Sequence, residues 1–114
     1  AGNMPVLELT TIGRKSGEPR SCLLTSPLQE NGEIVIVASR GGDDHHPAWY
    51  LNLLETPQVQ VSYKGAPHKI MTARTANAQE RARMWPVVAG AFKGYAGYQE
   101  KTSREIPLVI LSES

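Results

Sequence analysis

Asn31-Gly32-Glu33-Ile34-Val35-Ile36-Val37-Ala38-Ser39-Arg40-Gly41-Gly42 is the stretch on which the fold turns. From Ile34 to Ala38 it is apolar at consecutive positions, so neither face meets water, as expected of a strand in a small barrel or under a helix. The strand Glu33 to Ser39 should therefore be the most buried of the chain. Asn31-Gly32 before it is the dipeptide favoured where both turn residues need positive φ, which places another strand upstream and makes the pair a hairpin. That upstream run, Arg20 to Leu28, carries Leu23 and Leu24, with Pro27 near its end. Before it, Val6 to Ile12 is rich in Val, Leu, Thr and Ile, and Gly13-Arg14-Lys15-Ser16-Gly17-Glu18-Pro19 breaks the run as a second hairpin loop.

Downstream, Arg40 to Pro47 reads as a loop leading into a short helix, Pro47 to Leu54, with Pro in the first turn, where no amide partner is needed. The helix should end before Pro57. Gln58 to Tyr63 alternates through Val59, Val61 and Tyr63 as a half-buried strand, and Lys64 to Pro67 turns it into a partner, His68 to Arg74. Asn77-Ala78-Gln79-Glu80 fits a capping box loosely. The helix it opens places Trp85, Val88, Ala89 and Phe92 on one face, and Pro86 should kink or divide it near Met84. Tyr95 and Tyr98 fall in a Gly-containing loop, Lys93 to Gln99. Ile106 to Leu111 closes the chain as a strand, with Pro107 pointing to an edge or a bulge. Six strands arriving mostly as hairpins, with two helices, give an α+β fold, a mostly antiparallel barrel with helices at its side or mouth. Parallel βαβ architecture is disfavoured, because the Pro47 helix is the only evident crossover.

The chain has 114 residues, 40% of them apolar, which suits one domain spanning 1–114. Twelve cations against eleven acids leave +1, so any charge-driven binding depends on local clustering. Cys22 stands alone, which excludes an internal disulfide and a thiolate metal cage, and it reads as a small buried apolar group. No apolar run reaches the length of a membrane span, and no signal-peptide pattern opens the chain, so a cytoplasmic location is expected. The start at Ala1-Gly2-Asn3, without Met and almost directly into a strand, leaves room for a missing N-terminal segment and for peripheral membrane contact through it.

Three groups of residues could carry chemistry. Arg14, Lys15, Ser16 and Arg20 gather cations and a hydroxyl on a flexible turn, the donor set that phosphate recognition needs, although on this segment alone an exposed, basic hairpin tip is the commoner reading. Ser39-Arg40-Gly41-Gly42 ends the most apolar strand with a hydroxyl, a fourth cation and glycines that allow close approach of a ligand, or simply a loop of positive φ. Trp49 and Tyr50 on the short helix, with Phe92, Tyr95 and Tyr98, could face a planar ring; core packing explains Trp85 and Phe92 as well. Asp43-Asp44-His45-His46 holds metal-ligand residue types, but neighbouring side chains do not converge on one point, and acids suit a helix start, so no metal is expected. His68 is left as a surface or packed histidine.

Taken in order, Leu9-Thr10-Thr11-Ile12-Gly13-Arg14-Lys15-Ser16-Gly17-Glu18-Pro19-Arg20, Ser39-Arg40-Gly41-Gly42 and Pro47-Ala48-Trp49-Tyr50-Leu51-Asn52-Leu53 resemble the deazaflavin-dependent nitroreductase family of actinobacteria, with the likeness running from about Leu7 to Ile110. The resemblance implies a split β-barrel of the FMN-binding type and reduced coenzyme F420 as hydride donor. That cofactor has a planar deazaflavin, a phosphodiester and an anionic oligoglutamate tail. By the resemblance, Arg14, Lys15, Ser16 and Arg20 bind the phosphate and tail, and Arg40 serves the same anionic end. Val37, Ala38, Ser39, Gly41, Ala48 and Trp49 belong to the ring's surroundings. Ser39, Tyr50, Phe92, Tyr95 and Tyr98 match the substrate side, with Tyr98, and then Tyr95 and Ser39, carrying the catalytic roles. Ala48 and Phe92 stand where the family's nitroimidazole reducers have Met and Tyr, so cofactor use transfers more safely than substrate, and quinones, enones and nitroaromatics all remain acceptors. The competing readings are an FMN or haem binder of the same barrel type and a non-enzymatic barrel for single-stranded nucleic acid. Near-neutral charge and aromatics placed on helices and loops count against nucleic acid. A monomer and a homodimer are both compatible with the sequence.

Overall fold

A computed structural model describes residues 4–114, and its elements run β1 (Val6–Ile12), β2 (Pro19–Thr25), β3 (Leu28–Glu30), β4 (Glu33–Val37), α1 (Ala48–Glu55), β5 (Gln58–Tyr63), β6 (Lys69–Thr75), α2 (Ala78–Ala91), α3 (Gly94–Lys101) and β7 (Leu108–Glu113). The strands form one antiparallel sheet in the order β2-β1-β5-β6-β7-β4-β3. Its two edge strands, β2 and β3, are consecutive in the chain. The expected single strand Arg20 to Leu28 is thus two, broken at Ser26-Pro27, where Pro supplies no amide for a ladder. Ser26 is fully buried and joins the two edges. Its amide donates to the Pro5 carbonyl (3.0 Å), ahead of β1, and its hydroxyl donates to the Val35 carbonyl of β4 (2.6 Å). This is the seam of a split barrel, and it raises the strand count from six to seven.

Asn31 and Gly32 have φ of 54° and 75°, the conformation expected of that hairpin turn, and they set the register Glu30 opposite Glu33. The double-sided apolar character of β4 follows from two cores. Ile36 and Ala38 enter the barrel interior with Leu7, Leu9, Val59, Val61, Met71, Val109 and Leu111. Val35 and Val37 face outward under α2 and α3, with Met84, Val88, Tyr95, Ile106, Leu108 and Ile110. Strand β7 is as deeply buried as β4, since Leu108 to Leu111 alternate between the same two cores. Pro107 lies just ahead of β7, an interior strand paired with both β4 and β6, and so marks neither an edge nor a bulge.

Helix α2 runs unbroken from Ala78 to Ala91 through Pro86. Pro86 lies on the exposed side, opposite the buried Met84 and Val88, so the hydrogen bond it removes falls where water can replace it. Trp85 is only half-buried and lies beneath the Arg81 guanidinium, 4.5 Å from its ring centre. The N-terminus of α2 is a full capping box: Asn77 Oδ1 accepts the Glu80 amide and the Glu80 carboxylate accepts the Asn77 amide, both at 2.9 Å. Arg74 also grips Glu80 with two bonds of 2.7 and 2.8 Å, and these contacts lower the Glu80 carboxyl from 4.5 to about 2. A carboxyl lowered by folding stabilises the native state fully above its unfolded pKa and progressively less as pH falls through the folded one. Acid titration of wild type should therefore fray this end of α2 between about pH 4.5 and about 2, and Glu80→Gln should abolish that dependence, as followed by far-ultraviolet circular dichroism.

The Tyr95 and Tyr98 segment is helical, not a loop: α3 carries both on the side facing Phe92, with ring centres 5.1 to 6.3 Å apart. This third helix corrects the expected two. None of the helices among the described residues is long and apolar enough to cross a membrane.

Candidate functional site: two cavities sharing Trp49

The hairpin between β1 and β2 builds the first cavity, of about 400 Å³. Gly13 carries no side chain where a Cβ would come within 2.7 Å of Ser16 Oγ, so the loop can fold tightly, with the Gly13 amide donating to the Glu18 carbonyl (2.8 Å). Ser16 Oγ then accepts from the Glu18 amide and from Arg20 Nη2, each at 3.2 Å. Arg14, Lys15, Ser16 and Arg20 all line this cavity, beside Ala48 and Trp49 of α1. Neither Arg14 nor Lys15 has an acidic partner among the described residues, and Arg20 reaches Glu18 only at 4.0 Å. Positive charge without a close acidic partner thus lines the same cavity as Trp49.

Asn52 organises this charge, and sequence alone does not single it out. It is a buried polar residue on α1 whose Oδ1 accepts both the Arg14 amide (3.1 Å) and Arg14 Nη1 (3.0 Å), while its Nδ2 donates to the buried Thr11 hydroxyl (3.1 Å). Its partners lie 38 and 41 residues away, beyond any local pattern, and an Asn inside the apolar face of α1 is the one available cue. Cys22 also lines this cavity, half-buried, with its thiol pKa raised by burial and then by Glu8. Its raised pKa favours the neutral thiol, and it stands half-buried in the cavity wall where the sequence reading has it buried.

The second cavity, about 720 Å³, shares Trp49 with the first and is lined by Val37, Ser39, Arg40, Gly41, Phe92, Tyr95 and Tyr98 together with Leu23, Leu24 and Thr25 of β2. Arg40 therefore departs from expectation. It stands with the aromatic residues and faces Asp43 at 3.8 Å, so three of the four expected cations gather at the basic cavity. Ala48 lines the basic cavity beside Trp49 and not the aromatic one. Ala38 and Tyr50 line neither. Ala38 is fully buried in the barrel core, and the Tyr50 hydroxyl is engaged with Thr75 at 2.8 Å, with its ring packed on His46. Helical spacing separates Trp49 and Tyr50 by about 100°, which turns one toward the cavities and the other into the core.

Tyr95 is buried with its hydroxyl directed at Met4 Sδ (4.0 Å), and burial, aided by Tyr98, raises its pKa and holds it neutral. A neutral phenol in that position is a hydrogen-bond donor. Tyr98 is half-buried at the same cavity. Asp43 forms a local turn instead of a helix start: its carboxylate accepts the His45 amide (2.7 Å), and the first turn of α1 contains no acid. Among the described residues, no group of three or more His, Cys, Asp or Glu could hold a metal ion. His68 finds a partner in Glu8, 2.7 Å away on the barrel surface.

The family model described as F420H(2)-dependent quinone reductase matches residues 2–113. The chain belongs to the F420H(2)-dependent quinone reductase family. An F420H(2)-dependent quinone reductase of Mycobacterium tuberculosis H37Rv is 37% identical over 114 residues, covering 97% of this chain and 75% of that protein. A solved F420-H2 dependent reductase, FDR-A, is 39% identical with a TM-score of 0.81, covering 95% of this chain and 94% of that one. Another solved structure, described as a domain-swapped dimer, is 40% identical with a TM-score of 0.82 over 95% of this chain and 80% of its own. As a member of this family the protein is an oxidoreductase dependent on reduced F420, and its split barrel is the fold of those neighbours. The cavities fit that cofactor in their chemistry. Two unpaired cations, a third held only loosely and a serine hydroxyl suit a phosphodiester and carboxylates, and an indole wall leads from them to an aromatic chamber.

Proposed function

We propose that this family member reduces a quinone, with the anionic end of F420 held in the basic cavity and the acceptor held in the aromatic one. The observation that carries this reading is how the lining residues divide about Trp49: Arg14, Lys15, Ser16 and Arg20 on one cavity, and Phe92, Tyr95 and Tyr98 with the single cation Arg40 on the other. A quinone becomes a quinol by accepting one hydride and one proton, both of which reduced F420 can release on oxidation. The protein's part is binding and orientation. Arg14, Lys15 and Arg20 fix the anionic end, and Trp49, common to both cavities, would flank the deazaflavin ring where it meets the acceptor. Phe92, Tyr95 and Tyr98 clasp a planar acceptor, and the Tyr95 and Tyr98 hydroxyls, with Ser39, offer hydrogen bonds to the oxygen on which negative charge develops.

Steady-state oxidation of reduced F420 with a short-chain naphthoquinone, a cyclic enone and a nitroaromatic tests the assignment. The naphthoquinone should give the highest kcat/KM; absence of naphthoquinone-dependent oxidation defeats it. Tyr98→Phe should lower kcat about tenfold, because Tyr95 and solvent retain part of the hydrogen bonding, and leave F420 affinity unchanged. Unchanged turnover in that variant removes the Tyr98 hydroxyl from the reaction.

A further inference from the structure

Arg104 precedes β7 and carries no role in the reading so far, yet its half-buried guanidinium makes hydrogen bonds to three loop carbonyls and to His46. Nε donates to the Asp43 carbonyl (2.8 Å) and Nη2 to the Ser39 carbonyl (2.9 Å); both Nη atoms lie 3.3 Å from the Ala38 carbonyl, and Nη1 lies 3.1 Å from His46 Nδ1. The fork thus spans the segment 38–46, which contains Ser39, Arg40 and Gly41 of the acceptor wall. Within the segment the contacts are short-range: the Gly42 and Asp43 amides donate to the Ser39 and Arg40 carbonyls in one 3-10 turn, and Asp43 faces Arg40 and His45, while Arg40, Gly41 and Gly42 take successive φ values of 46°, 63° and 88°. A non-glycine residue at positive φ persists where its surroundings fix it.

Arg104 is in turn anchored to α3. Gln99 Nε2 donates to the Arg104 carbonyl (2.7 Å), and Gln99 Oε1 accepts both Arg81 Nη2 (3.0 Å) and the Ile106 amide (2.9 Å). Helix α3 bears Tyr95 and Tyr98, so one rigid chain of contacts runs from the acceptor tyrosines through Gln99 and Arg104 to the backbone of Ser39. His46 completes the socket as an acceptor at Nδ1, which requires its neutral form; burial and then the Arg104 charge hold its pKa below the ordinary histidine value.

We propose that Arg104 is a positioning residue for the reductase reaction, one that fixes the Ser39–Gly41 wall against the tyrosines of α3 so that the acceptor is held at the reacting distance. The inference rests on the aromatic cavity being the acceptor side. It predicts a defect mainly in the chemical step, since the Arg14, Lys15 and Arg20 that would hold the anionic end of F420 stand on a hairpin that Arg104 does not touch. A planar fork is needed to serve carbonyls diverging along a loop; an ammonium of equal charge cannot span them.

The test is Arg104→Lys, compared with wild type for thermal midpoint, for F420 affinity by fluorescence titration, and for kcat and KM with the short-chain naphthoquinone. The expected result is a fall in kcat on the order of tenfold to a hundredfold, with a smaller change in acceptor KM and with F420 affinity retained. Wild-type kcat in the variant overturns the proposal. So does a parallel loss of F420 affinity or of the folded state, which would make Arg104 a support of the whole fold. A wild type that fails to reduce the naphthoquinone defeats the acceptor assignment instead, so the two failures are distinguishable.

Discussion

Gly42→Ala should reduce acceptor turnover on the order of a hundredfold while leaving F420 bound. Gly42 has φ of 88°, where an L side chain is strained, and a Cβ there would lie 2.8 Å from the Tyr98 carbonyl oxygen, 3.0 Å from Tyr98 Cα and 3.1 Å from Lys101 Cβ. Two of those neighbours are backbone, so the added methyl cannot be relieved by rotating a side chain. Either the 38–43 loop or α3 must shift, and both carry walls of the acceptor cavity. A displacement of about 1 Å in reacting geometry can cost a factor of about a hundred in rate. The strain should also lower stability by about 1–3 kcal/mol. Thermal denaturation, F420 titration and steady-state kinetics on one preparation check the three parts. Wild-type turnover in Gly42→Ala would show that the contact between this loop and α3 does not set the acceptor's position.

Arg14→Ala should weaken F420 binding between about tenfold and a hundredfold, the range expected when a hydrogen bond to a charged group is lost. The fold should survive, because Asn52 Oδ1 keeps the Arg14 backbone amide and its own Nδ2 keeps Thr11. The loss should be electrostatic in character. Binding of the variant should depend less steeply on salt than binding of wild type, since one cation fewer faces the anionic end. Arg14→Lys should recover charge and salt dependence but not full affinity, because a lysine cannot donate to Asn52 and a phosphodiester with the same planar fork.

The parts of the fold that were legible from sequence are those set by local chemistry. Asn31-Gly32 specified its turn through a steric demand for positive φ, the alternation of Val59, Val61 and Tyr63 specified β5, and Asn77 with Glu80 specified a helix start. The continuous apolar run of β4 announced cover on both faces, and that cover is the barrel interior and the α2–α3 layer. Where local signals conflicted with tertiary ones, reading by pattern failed. Tyr95 and Tyr98 sit among glycines of low helix propensity, yet α3 forms because Tyr95 is buried beside Phe92 in the outer core. Pro86 looked like a break but lies on the solvent side of α2.

The basic half of the site was legible for a similar reason, since Arg14, Lys15, Ser16 and Arg20 are close in sequence and on one loop. Its organising residues were not. Asn52 acts on Arg14 across 38 positions, and Arg104 acts on Ala38, Ser39 and His46 across 58 to 66. Residues of this kind reveal themselves only when the sheet brings β1, α1 and the turn before β7 together. Arg40 shows the converse error, in which a cation near the cluster in pattern is turned to the neighbouring cavity by Asp43 and by a positive φ.

On the proposed reading the basic cavity recognises the charged end of F420, beside the Trp49 it shares with the acceptor side. The decisive comparison is of the affinities of wild type and Arg14→Ala for F420 and for its deazaflavin chromophore lacking phosphate and glutamates. Wild type should bind F420 far more tightly than the stripped chromophore, and Arg14→Ala should lose most of that difference without changing affinity for the chromophore itself. Equal wild-type affinities for the two molecules, or an equal loss of both in Arg14→Ala, would contradict it.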